Sequence, residues 1–314
     1  MRYGVLVTSD RKKLWNVQLN LLVEVDRICR KHGIKWSLAG GTLIGAIRHQ
    51  GFVPWDDEAE IEMFRPEYEK FKRVAQEELD PDFYFDLWCN YVVEGDPNPD
   101  NLPVIKREQL KKYPWLPFSP FLKLRDNSTT FIKYPDFDNL VQGIGIDIFP
   151  MDPVPPFDNP KHQEIFERGE ELRYAVTYPE RLVEGIERGD HYHHSYDRLR
   201  ELLSLPFRDR ALLYEKYLAD NWFESEFSSL PTFNSLKAIH KMKEQPTAEK
   251  QDLITAKFEG LEVPVFKNYD SILTRQYGDW RTPLKYHIHT NTFSADVPYK
   301  EYFKAHVRWG ELIG

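Results

Sequence analysis

The stretch KWSLAGGTLIGAIRHQGFVPWDDEAEIEMF, residues 35–64, decides how the chain folds. It offers a short strand through Trp36 and Leu38, a turn at Gly40 and Gly41, and a helix from about Thr42 to about His49. Strand, double glycine and helix is the order of an anion cradle, because glycines admit close approach to a backbone and a helix start presents unpaired N–H groups. An ordinary turn has the same letters, and the stretch alone leaves both open. Behind the helix come five carboxylates in the seven positions from Asp56 to Glu62. If those residues are extended, Asp56, Glu58 and Glu60 share one face while Asp57 and Ala59 take the other. Like charges at that spacing raise one another's pKa, so the row needs a cation or open water. Oxygen-only ligands in a short row suit Mg²⁺ or Mn²⁺. A solvated strand end is the plainer alternative.

Upstream, Leu14, Val17, Leu21, Leu22, Val25 and Ile28 recur at three- and four-residue steps, which predicts a helix with one buried face, ended by Gly33. Downstream, VQGIGIDIFPMDPVPPFD (residues 141–158) sets Asp147 among Ile144, Ile146, Ile148 and Phe149. A carboxylate in so strand-like and apolar a run needs a partner. If this strand lies beside the acid row, Asp147 completes a trio around one or two metals, the arrangement that clamps the attacking and leaving oxygens of phosphoryl transfer. A structural aspartate accepting backbone hydrogen bonds is the other reading.

Composition narrows the classes. With 314 residues, 41% hydrophobic and 29% charged, the chain can bury a large core, so a globular protein is expected. A net charge of -8 argues against a nucleic-acid partner, whose affinity would rest on clustered Lys and Arg. The two cysteines, Cys29 and Cys89, have no ligand spacing and fit a reducing compartment. The N-terminus lacks the pattern of a signal peptide, and no run approaches the ~20 apolar residues of a membrane span. A cytoplasmic protein is expected, at most peripheral to the inner face of the membrane.

Four segments in order, GGTLIGAIRHQGFVPWDDEAEIEMFRPEYEKF, FLKLRDNSTTFI, GIDIFPMDPVP and FEGLEVPVFKNYDSILTRQYGDWRTP, resemble the LicD family of phosphocholine transferases, relatives of fukutin and fukutin-related protein. The resemblance implies an α+β fold, a nucleotidyltransferase-like mixed sheet flanked by helices. It also implies transfer of phosphocholine or a related phospho-alcohol from CDP-choline or another CDP-alcohol to a glycan hydroxyl. The acceptor would be a cell-surface polysaccharide, teichoic acid or lipopolysaccharide, free or lipid-linked. On the family pattern Gly40, Gly41 and Thr42 fall on the phosphate turn, Glu58 and Glu60 on the paired acids, and Asp147 on the third acid. Asp56, Glu58, Glu60 and Asp147 would hold Mg²⁺ or Mn²⁺, with Glu58, Glu60 and Asp147 as the catalytic acids and Asp147 as general base. Arg48 and His49 match the family motif and would brace the acids or touch phosphate, or else make a salt bridge at the helix end. Lys123 and Arg125 alternate on an expected strand, suited to the phosphates leaving with CMP or to plain surface charge. One departure is that the family pattern PWDDDIDI reads PWDDEAEI here, with both paired acids Glu and Ala59 between them.

Residues 1–155 are read as the catalytic core, 156–250 as a mainly helical insertion or cap, and 251–314 as a segment packing back on the core. Trp36, Trp55, Trp88, Tyr91 and Trp115 are aromatic candidates for holding a quaternary ammonium or a sugar, each equally a core residue. The run HYHH at 191–194 reads as a solvated loop before it reads as a metal site, and His287 and His289 are candidates for lining the site. Two other functions remain open: a non-catalytic nucleotide- or glycan-binding protein on the same fold, and a metal-dependent phosphohydrolase.

Overall fold

Helix α1 (Ser9–His32) starts where the Thr8 hydroxyl accepts the Arg11 N–H at 3.2 Å and stops where Gly33 turns left-handed at φ 62°. Its buried stripe, including Leu14, Leu21, Val25 and Ile28, is the one expected from the spacing. In a computed structural model the chain is described over residues 4–112, 121–137, 139–154, 158–189, 196–229, 245–283 and 292–301. The stripe packs on a mixed sheet, and the architecture is α+β with a nucleotidyltransferase-like arrangement.

Five strands form the path that matters: β1 (Ser37–Leu38), β2 (Glu60–Phe64), β3 (Phe83–Asp86), β4 (Leu122–Asp126) and β5 (Gly145–Val154), in the spatial order β1-β2-β5-β4-β3. Strands β2 and β5 run parallel, and every other neighbour in that path is antiparallel. Residues alternate strictly. Ile61, Met63, Leu122, Leu124, Ile146 and Ile148 point to one side and are buried to the last few ångströms beneath α1 and α3 (Arg65–Glu78). At about 1.5–3 kcal/mol for each large apolar side chain removed from water, this face fixes the register, because a slip of one residue would exchange it with the charged face. Glu60, Asp147, Lys123 and Arg125 stand on the other side.

At the junction of β2 and α3, Arg65 is buried and grips Asp152 of β5 with Nε and Nη2, both at 2.7 Å, while Nη1 reaches Glu69 at 3.1 Å. Breaking so buried a pair leaves uncompensated carboxylates. Arg65→Ala is therefore expected to destabilise the protein by about 3–5 kcal/mol, measured by urea unfolding.

The segment read as a helical insertion contains helices α4 (Pro160–Thr177), α5 (Pro179–Arg188), α6 (Tyr196–Ser204) and α7 (Phe207–Asp220). Helix α7 ties them to the core: Glu215 accepts the Trp88 indole N–H at 2.8 Å, and Tyr214 meets the Trp88 ring edge-on. Strand β6 (Phe227–Ser229) joins the far end of β5, an addition too short to leave a pattern in the sequence. The hairpin β7 (Leu253–Phe258) and β8 (Leu261–Phe266) precedes α8 (Tyr269–Tyr277), which lies against α2 (Gly40–Ile44). Among the described residues no helix is long and apolar enough to cross a membrane.

Candidate active site

The register of the sheet builds the site. Glu60 pairs with Asp147 across β2 and β5, Asp147 pairs with Lys123 across β5 and β4, and Lys123 pairs with Asp86 across β4 and β3. Directly paired residues share a face, so an acid, an acid, a base and an acid stand in one row. Lys123 donates to Asp147 Oδ1 in a short contact. One step along the same face, Arg125 Nε donates to Asp86 Oδ2 at 2.6 Å and Nη1 to the Gly143 carbonyl at 3.0 Å.

The acid-rich segment is extended over less of its length than its composition suggests: β2 starts only at Glu60. Before it the chain turns, with the Asp56 N–H donating to the Val53 carbonyl and Asp56 Oδ1 accepting the Glu58 N–H at 3.2 Å. The alternation Asp56, Glu58, Glu60 is thus replaced by Glu60 and Glu62 on the strand. Asp57 turns inward and is buried near Arg11, 3.8 Å away. Gln18 of α1 fastens the turn by donating to the Asp57 carbonyl at 2.8 Å. Glu58, still partly in solvent, receives Lys133 Nζ at 3.1 Å.

The glycine turn closes over these acids. Helix α2 begins at Gly40 and continues as a π-turn through Gly45–His49, as the helix from Thr42 to His49 anticipates. Thr42 Oγ1 accepts the Glu60 N–H at 2.9 Å, and the Gly41 N–H donates to Glu60 Oε2 at 3.1 Å. A side-chain carboxylate thereby takes the position of the anion that the turn was expected to hold. A methyl carbon at Gly40 would fall 2.1 Å from Glu60 Oε2, and one at Gly41 would fall 2.6 Å from Asp56 Oδ2. Both glycines are what leaves room for the carboxylates. Arg48 leaves the acid row and donates to the Trp280 carbonyl and to His49 Nδ1.

Burial first, then the charges of Asp56, Asp147 and Glu58, push the Glu60 carboxyl from about 4.5 up to about 8, against one lowering contact from the Gly41 N–H. Desolvation also holds Lys123 below the usual lysine range despite Asp147 beside it. Carboxylates whose charges raise Glu60, all oxygen donors, beside glycines whose missing Cβ atoms leave room for Glu60 and Asp56, are the donor chemistry of a hard divalent cation. The residues fit Mg²⁺ or Mn²⁺ in kind. Among the described residues no three His, Cys, Asp or Glu side chains already stand as a finished ligand set, and Asp147 and Glu58 are paired with Lys123 and Lys133.

A raised carboxyl means that the folded state holds this proton more tightly than the unfolded chain. Its contribution to stability is therefore full below about pH 4.5 and lost as pH climbs through about 8. The melting temperature of chelator-treated protein is expected to fall across this window, and millimolar Mn²⁺ at the alkaline end to restore most of it. Thermal melts with and without the ion check this, and a flat profile that ignores the ion would contradict it.

Beside the row lies a small open cleft lined by Lys123, Arg125, Lys133, Tyr134, Phe121 and Trp88 among others. Tyr91 also lines it. The Lys123 ammonium lies 4.7 Å from the Phe121 ring centre, so this wall already receives a cation on an aromatic face. Trp36 is buried and Trp55 packs edge-on against His49. Trp115, the 191–194 histidines, His287 and His289 lie outside the described residues. Sequence reading missed Lys133, Phe121 and Tyr277. Phe131 and Lys133 continue the period-two pattern of Lys123 and Arg125 after a turn, a signal open to notice. Tyr277, whose hydroxyl stands 3.4 Å from where a Gly40 Cβ would be, comes from α8 with no local mark of that role.

Residues 33–156 match a family described as LicD/FKTN/FKRP, nucleotidyltransferase domain. A stretch of 58 residues, 18% of this chain, is 52% identical to the lipopolysaccharide cholinephosphotransferase LicD of Haemophilus influenzae and covers 22% of that protein. Another similarity is to an uncharacterized protein of Rickettsia typhi, 33% identical over 66 residues and 21% of each chain. A third is to an uncharacterized protein of Rickettsia prowazekii, 42% identical over 53 residues, 17% of this chain and 19% of that one. The matched stretches span about a fifth of the length of each of these relatives.

Proposed function

We propose, from the premise that residues 33–156 are a LicD-family nucleotidyltransferase domain, that this protein transfers phosphocholine or a related phospho-alcohol from a CDP-linked donor to a glycan hydroxyl. The observation that carries the reading is the in-register pair Glu60 and Asp147 on adjacent parallel strands, set against the Gly40–Gly41 turn and flanked by Lys123 and Arg125. Asp56, Glu58, Glu60 and Asp147 are the residues that would hold Mg²⁺ or Mn²⁺. When bound, that ion neutralises pyrophosphate charge and orients the two exchanging oxygens.

The chain's own groups do the rest. The Gly41 N–H that now holds Glu60 is a donor that a phosphate oxygen can take. Lys123, Arg125 and Lys133 give the cleft its cationic wall, suited to the charge that leaves with CMP. The acceptor hydroxyl attacks the phosphorus that bears the alcohol ester, and the bond from that phosphorus to the CMP oxygen breaks. Asp147 takes the hydroxyl proton on the carboxylate oxygen opposite the one that holds Lys123. The aromatic walls at Phe121, Tyr134 and Tyr91 favour a quaternary ammonium among the phospho-alcohols, at about 0.5–2 kcal/mol for each ring face engaged.

The test is incubation with Mn²⁺ or Mg²⁺ and CDP-choline, CDP-ethanolamine, CDP-glycerol and CDP-ribitol, with CMP release followed by mass spectrometry. Release that depends on an added glycan supports transfer, and equal release without one would make the protein a phosphohydrolase. Tight donor binding with no release would make it a binding protein.

A further inference from the structure

Strand β2 carries a second carboxylate on its charged face. Glu62 follows Glu60 at the next same-side position, about 7 Å along the strand. It forms part of the wall of a second cavity, about 1070 Å³. The Tyr277 phenol, near Gly40, is within electrostatic reach of Glu60, Glu62 and Asp56.

The walls have a consistent chemistry. Trp222 and Phe64, both partly open to solvent, offer aromatic surface, with Phe266 buried behind them. Inside, Lys250 Nζ donates to Glu62 at 2.5 Å, lies 3.2 Å from Met151 Sδ and sits 5.3 Å from the Phe266 ring centre. Lys250 and Glu62 are both almost wholly buried, although burying an ion pair costs more than an apolar pair of the same size. They satisfy each other within the wall. At the rim Glu67, Glu224 and Glu226 outnumber Lys35, so the lining bears four carboxylates against two ammonium groups. Anions are repelled here and drawn to the cationic cleft at Lys123, Arg125 and Lys133. Rings for the C–H faces of a sugar, and carboxylates to accept its hydroxyls, are the makings of a carbohydrate site.

We propose that this cavity is the acceptor-glycan site and that it takes neutral or amino sugars while excluding uronic acids and phosphorylated sugars. The inference rests on the reading of the Glu60–Asp147 row as the transfer centre. Its test does not need turnover. Saturation-transfer NMR on the full chain, with chitotriose, lactose and trigalacturonate as separate probes, reads binding directly. At least one neutral probe should give a signal about tenfold stronger than trigalacturonate, and Trp222→Ala should reduce it about tenfold. Glu226→Lys, an exposed change at the rim, should raise the trigalacturonate signal and decides the matter if the Trp222 variant does not fold by circular dichroism. Silence from both neutral sugars, equal signals from trigalacturonate, or no response to a folded Trp222→Ala or to Glu226→Lys would overturn the assignment. CMP release without this pattern would leave the transfer reading standing and remove this site. The pattern without CMP release would do the reverse.

Discussion

Asp147→Asn is expected to cut CMP release from the best CDP-alcohol by at least about 10²-fold, the scale of a missing charge at a transfer centre, while circular dichroism shows the fold intact. The substitution keeps size and shape. The Asp147 N–H still donates to the Ala59 carbonyl at 2.8 Å, and an amide oxygen can still accept from Lys123. What disappears is one negative charge directly across from Glu60 and one proton acceptor. A second readout follows from the same change. Asp147 is among the charges that hold the Glu60 carboxyl up near 8, so in the variant the pH-dependent loss of stability should shift toward lower pH. Turnover equal to the parent's would remove Asp147 from the chemistry.

Gly41→Ala should separate activity from stability in the opposite sense to an ordinary core mutation. Gly41 lies within α2 and its φ is outside the left-handed region, so the backbone accepts alanine, a better helix former by about 0.8–1 kcal/mol. The new methyl would meet Asp56 Oδ2 at 2.6 Å, so the carboxylate must shift. Displacing it by about 1 Å should cost roughly 10²-fold in rate, with the melting temperature unchanged or higher. Gly40→Ala is a harsher change, since φ there is 51° and its methyl would fall 2.1 Å from Glu60 Oε2. Steady-state kinetics beside thermal melts of Gly41→Ala checks the claim, and a variant that keeps full activity would show that the turn does not seat the acids.

Much of this was legible because local rules sufficed. The stripe from Leu14 to Ile28 and the stop at Gly33 are written in spacing and in one glycine's freedom to take a positive φ. The alternation around Asp147 and through Lys123 and Arg125 assigns their common face before any contact is known, because a strand has a period of two. The helical reading of the segment after residue 160 likewise holds for α4 through α7, whose apolar positions repeat at helical steps. The start of β2 at Glu60 is hidden in the sequence because the turn at Asp56 is made by side chain and carbonyl acceptors that leave the letters looking extended. The contacts of Lys133 with Glu58, and of Tyr277 with the glycine turn, depend on how distant elements meet. So does the tie of Arg48 to Trp280, which no motif in either segment foretells.

The substitution of Glu for the family's paired Asp also gains a local reason at one position. The longer side chain lets Glu60 reach back to the Gly41 N–H across the turn. Glu58 reaches outward to Lys133 instead, so the two acids are not equivalent. A cation bound at the proposed site would draw Glu60 from the turn and Glu58 from the lysine.

The central claim is that acids from residues 56–60 and from residue 147 share one divalent ion. A titration with Mn²⁺ followed by electron paramagnetic resonance, in which binding removes the signal of the free ion, tests it most directly. The account predicts that the parent protein binds Mn²⁺ and that Asp147→Asn and Glu60→Gln each weaken binding by about tenfold or more. Equal Mn²⁺ affinity in the parent and in both variants would contradict it.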